Sequence, residues 1–162
     1  HTAIAAQLES KTCRRDYLAV VMGNIVHDDG LIDAPIGRDP ADRQKMKVTD
    51  KASREARTHF HVLKRFKNST YVECRLDTGR THQIRAHLAT EGHAIIGDYK
   101  YGNRKINDAY KNKYKLESQL LHAYRVEMPK LEGEMEDLSE KHFVAPIPPL
   151  FQTILDAEKR EG

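Results

Sequence analysis

The run at residues 76–102, LDTGRTHQIRAHLATEGHAIIGDYKYG, concentrates the side chains that could do chemistry. A strand ends at Leu76, Gly79 permits a tight turn, and Arg80, Thr81, His82 and Gln83 open a helix. The first turn of a helix carries backbone N–H groups without intrahelical partners, and these favour phosphate. Arg80, His82 and Gln83 add side-chain donors at the same end, which suits a nucleic-acid backbone. Ile84 and Leu88 share a face of this helix, which puts Arg85 beside an apolar patch. A guanidinium there needs a carboxylate or phosphate partner. A plainer picture fits the same residues, a basic helix start with a surface arginine, and physics alone leaves both open.

The elements around this run read as α+β, with a mixed, largely antiparallel sheet flanked by helices and loops. Residues 16–22 (DYLAVVM) are apolar on both faces and predict a central strand stopped at Gly23. Residues 56–66 and 70–76 alternate, with Thr58, Phe60 and Val62 on one side of the first and Val72, Cys74 and Leu76 inward on the second. The Lys67-Asn68-Ser69 turn joins them as an antiparallel pair. Thr78 is the expected N-cap of the helix, which runs to about residue 90 and stops at Gly92. Residues 1–11 predict a short amphipathic helix, and residues 24–50 short strands and loops. Residues 103–118 read as a loop or loose helix, and residues 119–128 and 142–145 as late strands. Pro149 opens a closing helix with Leu150, Phe151, Ile154 and Leu155 on one face.

Composition narrows the function classes. The chain has 162 residues, 39% hydrophobic and 31% charged, enough for one domain with a core and unlike a disordered chain. No apolar run approaches the roughly 20 residues of a membrane span, so no membrane partner is expected. Two cysteines, Cys13 and Cys74, stand far apart without a CxxC companion, which fits reduced thiols in a cytoplasmic protein. His82, His87 and His93 lack any HExxH or CxxC scaffold, so no metal is assigned. The net charge is only +3, but cations gather at Arg14-Arg15 and at residues 38–51, 54–67 and 80–85, while residues 131–140 are acidic. One basic face follows. Lys111, Lys113 and Lys115 read as a solvated face.

The run at 76–102 resembles, nearly position for position, the third signature block of the RluA family of pseudouridine synthases. That block reads leucine, any residue, TGRTHQIR, any residue, HL, then GH, an apolar pair, GD and YG. The resemblance extends to DYLAVVMG at 16–23, APIGRDPADRQKMKV at 34–48, SREARTHFHVL at 53–63, QLLHAYRVEM at 119–128 and FVAPIP at 143–148. It departs at Ser53-Arg54, where the family usually has Gly-Lys. The spacing through Tyr101 and Asn107 leans toward the large-subunit ribosomal RNA enzymes.

The resemblance implies an RNA partner, ribosomal RNA first and transfer RNA as the alternative, and no cofactor. It implies that Arg85 pairs with the nucleophilic aspartate and that Tyr17 stacks on an extruded uracil and is a candidate for proton transfer. Ile84 would floor the pocket, while Gly79, Arg80, Thr81, His82 and Gln83 would bind RNA backbone or shape the rim. Read alone, Tyr17 and Ile84 are equally ordinary core residues. The family's nucleophile lies in an R-L-D-x-x-T-S/T-G block, which no stretch of this chain matches. Arg75-Leu76-Asp77 spells R-L-D without the T-S-G that must follow, so Asp77 is not assigned, and Asp98 is expected to fix the turn after the helix. The whole chain, 1–162, is therefore expected to be the C-terminal portion of a single catalytic domain, inactive by itself, from a cytoplasmic enzyme monomeric at full length. The alternative is a non-catalytic RNA-binding module that kept the fold.

Overall fold

The computed structural model describes residues 14–127 and 142–161. The expected helix at 1–11, Cys13, Met128 and the acidic stretch at 131–140 lie outside the described residues. The apolar run at 16–22 forms most of β1 (Arg14–Met22), and it is central. It pairs on one side with β7 (Ser69–Leu76) and on the other with β8 (Leu121–Glu127), both antiparallel. Beyond β7 lie β6 (Arg57–Arg65) and β2 (Asp29–Asp33), and beyond β8 lies β9 (His142–Val144). Every pairing in this six-stranded sheet is antiparallel.

Register decides which side chains share a face. Tyr17 stands opposite Cys74, and Cys74 opposite Phe60; Arg15 stands opposite Leu76, and Leu76 opposite Thr58. Alternation then puts Arg15, Tyr17, Ala19 and Val21 on one face, with Val72, Cys74 and Leu76 as the sequence predicts. Helix α1 (Gln83–Thr90) packs on that face, because Gln83 and His87 both bond to Thr58. Helix α3 (Pro149–Glu161) packs on the other, where Phe151 meets Tyr71 edge-on and Glu158 accepts a bond from Ser69. Leu150 departs from its expected place: it is exposed, and only Phe151, Ile154 and Leu155 face inward.

Residues 104–114 form a regular helix, α2 (Arg104–Tyr114), rather than a loose segment. The Asn103 side chain caps it by accepting from Ile106 N at 2.9 Å, and Lys115 closes it in the left-handed region. Ile106, Tyr110 and Tyr114, spaced four apart, pack against the main core. A small sheet of β3 (Ile36–Arg38), β4 (Met46–Val48) and β5 (Ser53–Arg54), in the order β4-β3-β5, arises within the turn-rich segment. Ile36 and Ala56 pack with Ala86 of α1, and Met46 and Tyr101 close over them.

Thr78 is not the cap of α1. The helix begins four residues later, behind His82 in the left-handed conformation at φ 53°, with no side-chain cap. The reason is a buried chain of hydrogen bonds that engages Thr78 elsewhere. Its hydroxyl accepts from Arg57 N and donates to Gln83 Oε1, which also accepts from Arg80 N. Gln83 Nε2 donates to Arg57 O and to Thr58 Oγ1. That leaves the Thr58 hydroxyl proton for His87 Nδ1 at 2.8 Å, and His87 Nε2–H for Ala34 O at 2.9 Å. Every donor finds an acceptor only if His87 is neutral and protonated at Nε2.

Burial, the larger cause, lowers the His87 pKa against a smaller opposing pull from the Ala34 carbonyl. Folding thus favours the neutral ring, and the sign follows. Its stability contribution is fully present above the unfolded value near ~6.5 and is lost as pH falls through the lower folded value. An NMR titration of the His87 ring should give a midpoint below ~6.5. Thr58→Val should raise that midpoint and cost about 1–3 kcal/mol, because a buried donor and acceptor lose their partner. A wild-type midpoint at or above the ordinary value contradicts this tautomer.

Candidate active site

Arg85 leaves α1 half-buried and meets Asp98, whose side chain is fully buried. The guanidinium grips it along one edge, with Nε 2.7 Å from Oδ2 and Nη2 3.0 Å from Oδ1. Asp98 Oδ1 also accepts from Lys100 N and Tyr101 N, each at 3.1 Å. The expected turn-fixing role of Asp98 is thus present, and the pairing with Arg85 is one that motif spacing did not disclose. The signal was available: an arginine beside an apolar patch needs a carboxylate, and Asp98 is the only one in the rest of that run besides Glu91. Four hydrogen bonds to a buried carboxylate make Asp98 a structural anion rather than a nucleophile. The bond to Asp98 in turn raises the Arg85 pKa. Arg85 Nη1 has no hydrogen-bond partner among the described residues.

Tyr101 holds the arginine from another direction. The Arg85 Cζ stands 4.9 Å from its ring centroid. The ring is anchored at its far end, where the hydroxyl accepts from Met46 N at 2.8 Å and lies 2.8 Å from His82 Nδ1. Burial first, then the charge of Arg85, lowers the His82 pKa, with Lys100 and Arg38 acting in the same direction. The neutral ring keeps one N–H, and its tautomer sets which of Nδ1 and the tyrosine hydroxyl donates. Lys45 adds a second cation 5.5 Å from the Tyr101 ring. Arg38, Lys45, Arg85 and Lys100 thus gather around the Tyr101–His82 pair, with Asp98 as the counter-charge.

The remaining predicted residues fall into two groups. Gly79 and Thr81 are exposed and Arg80 half-buried, its Nε donating to Glu55 O at 2.7 Å. They form a rim around the start of α1. Gln83 and Ile84 are buried, the first inside the hydrogen-bond chain and the second in the core. Tyr17 is half-buried on the sheet face that carries α1 and packs against the core cluster that contains Ile84. It makes no hydrogen bond to Arg85 among the described residues. Asp77 is engaged with His59 at 2.8 Å and lies 3.8 Å from Arg57, away from Arg85's carboxylate partner. Cys74 is fully buried, and burial pushes its thiol pKa up to about 12. It is no nucleophile.

The sequence places Arg15 among the clustered cations but assigns it no role of its own. Arg15 lies two positions before Tyr17 on the same face, and its guanidinium is laid against Gly79. A Cβ at Gly79 would stand 2.5 Å from Arg15 Nη1, so any side chain there would push the guanidinium aside. Arg15 Nε and Nη2 are buried without any hydrogen-bond partner. A buried cationic edge with no acceptor calls for an anion or carbonyl that the described residues do not supply. Nothing in the local spelling RRDY separates this arginine from a surface one.

Residues 1–90 match the family model described as RNA pseudouridylate synthase. A Bacillus subtilis protein described as an uncharacterized RNA pseudouridine synthase is 57% identical over 108 residues, 67% of this chain and 35% of the relative. The ribosomal large subunit pseudouridine synthase D of Nitrosomonas europaea is 44% identical over 126 residues, 77% of this chain and 36% of the relative. The alignments thus take in little more than a third of each relative's length. The solved structure of human RNA pseudouridylate synthase domain containing 4 superimposes with a TM-score of 0.75 over 98% of this chain and 67% of that one. At 24% identity it establishes the α+β fold.

The Arg85–Asp98 pair is directly testable. Asp98→Asn keeps one oxygen for the amides of Lys100 and Tyr101 but removes the charge. It should cost about 3 kcal/mol in urea unfolding, because it leaves Arg85 without its counter-ion. A change below about 0.5 kcal/mol would show that the pair is as weak as a surface salt bridge.

Proposed function

Since the chain belongs to the RNA pseudouridylate synthase family, of the RluA type, we propose that it is the C-terminal portion of a catalytic domain that isomerises uridine in structured RNA. Residues 1–162 form part of that single domain, and the nucleophilic aspartate comes from polypeptide outside it. The observation that carries this reading is the state of Arg85. Asp98 secures one guanidinium edge, and nothing among the described residues bonds Nη1, which lies among Arg38, Lys45 and Lys100. A carboxylate delivered to that open edge would be held ionised and aimed, because an adjacent cation lowers a carboxylate's pKa. The orphaned edge of Arg15, on the same sheet face, supports the view that more polypeptide packs here.

The reaction needs neither metal nor cofactor. The uridine is drawn out of its stack. The N1–C1′ bond breaks, the base turns, C5 bonds to C1′, the C5 proton leaves and N1 gains a proton. Tyr17 stacks on the extruded base and is the candidate for transferring the C5 proton. Ile84 backs the apolar floor. Gly79, Arg80, Thr81 and His82 meet the RNA backbone, while Gln83 builds the turn that presents them. Large-subunit ribosomal RNA is the substrate class, since relatives such as that of Nitrosomonas europaea are named for it. The enzyme is cytoplasmic and works as a monomer. Retention of a fully built Arg85 clamp argues against a module selected only to bind RNA.

Tritium release from RNA carrying uridine labelled at C5 tests this. The 162-residue chain alone should release none, and a longer protein carrying an upstream R-L-D-x-x-T-S/T-G block should release it. In that protein Arg85→Ala should lower turnover at least about 100-fold while leaving most RNA affinity. Release by the isolated chain would show that the nucleophile is within it. Absence of release from the longer protein would favour the binding module.

A further inference from the structure

We infer that Tyr101 is a positioning residue for the reaction, because it and Asp98 together lock the Arg85 guanidinium so that only its end-on edge can receive a carboxylate. The inference rests on the isomerase reading above and adds a direction of approach to it. A guanidinium offers two edges and two faces. The side-on edge, Nε with Nη2, is taken by the two oxygens of Asp98. The Tyr101 ring stands against the guanidinium, with Cζ over the ring 4.9 Å from its centroid. What remains is Nη1 with the second hydrogen of Nη2, the end-on edge.

The lock is built from three separate parts of the fold. Asp98 and Tyr101 belong to one turn, in which Asp98 Oδ1 accepts the Tyr101 N–H at 3.1 Å and Asp98 O accepts Gly102 N at 2.9 Å. The turn leaves no room for variation at its end: a Cβ on Gly102 would stand 2.5 Å from Asp98 O. The far end of the tyrosine is tied to β4 through Met46 N and to the start of α1 through His82. Ring and carboxylate therefore cannot shift independently, and the guanidinium plane is set by both. A lysine at position 85 has neither a plane to stack nor a second edge to offer. A side-on approach by the nucleophile is closed, since Asp98 already occupies that edge.

The lock can be read in the 162-residue chain by NMR of the arginine side chains, as the rate of rotation about the Arg85 Nε–Cζ bond. The wild type should show slowly exchanging Nη signals. Tyr101→Leu should speed this rotation about tenfold while the Lys100 amide, bonded to Asp98, keeps its position; tenfold corresponds to about 1.4 kcal/mol. Tyr101→Phe, which keeps the ring and frees Met46 and His82, should fall between the two, and it stands in if the leucine variant does not fold. In the longer enzyme Tyr101→Phe should lower kcat with KM for RNA unchanged. Rotation in both variants equal to wild type overturns the inference, as does an equal loss in kcat and in RNA affinity. Because rotation is measured without RNA, it stands or falls apart from whether the larger protein isomerises uridine.

Discussion

An arginine taken out of water must bring an anion with it, and in this protein that requirement organises everything around the start of α1. Arg85 cannot face the apolar side of its helix unless Asp98 is waiting there. Asp98 in turn can be fully buried only because two backbone amides and the guanidinium complete its four hydrogen bonds. The tight turn at 98–101 follows from those bonds, and the turn brings the Tyr101 ring under the guanidinium carbon. Through Tyr101 the constraint reaches β4, so the small sheet is fastened to the helix by a side chain that also belongs to the site. Removing the carboxylate would thus loosen a sheet that never touches it.

The second constraint is the bond chain from Thr78 through Gln83 and Thr58 to His87. It welds α1 to β6 and to the turn after β7, and holds the backbone open between Gly79 and His82. That is why the helix begins late and why Gly79, Arg80 and Thr81 project as a rim. The central register does the rest, since β1 places Tyr17 and Arg15 on the sheet face that α1 covers. Fold and site are one arrangement here: the groups that bury α1 are neighbours of those that would meet RNA.

Much of this was legible in the sequence, for reasons that can be named. The central strand announces itself because residues 16–22 are apolar on both faces. The β6–β7 pair follows from alternation on either side of a polar turn. Arg85 could be singled out because a charge beside an apolar stripe is an anomaly. Thr78 was misplaced as a cap because a threonine before a helix looks the same whether its hydroxyl meets the helix or a neighbouring strand. Helix α2 was underestimated because its lysines mask the four-residue spacing of Ile106, Tyr110 and Tyr114. Arg15 was hidden for a different reason: its approach to Gly79 is long-range, which local pattern does not encode, whereas the partner of Arg85 could have been sought between the two carboxylates that follow it in its own run. The family motif drew attention to α1, and the geometry shows that Asp98 takes the Nε–Nη2 edge of its arginine.

The most direct measurement is the Arg85 Nη1 nitrogen and proton shift, compared between this chain and a longer protein that carries the upstream aspartate block. A carboxylate seated end-on should move Nη1–H downfield in the longer protein, and exchange of that aspartate for asparagine should return it to the position seen here. The Nε signal, bonded to Asp98, should stay in place throughout. An Nη1 shift identical in all three proteins, or a change confined to Nε, would contradict the account.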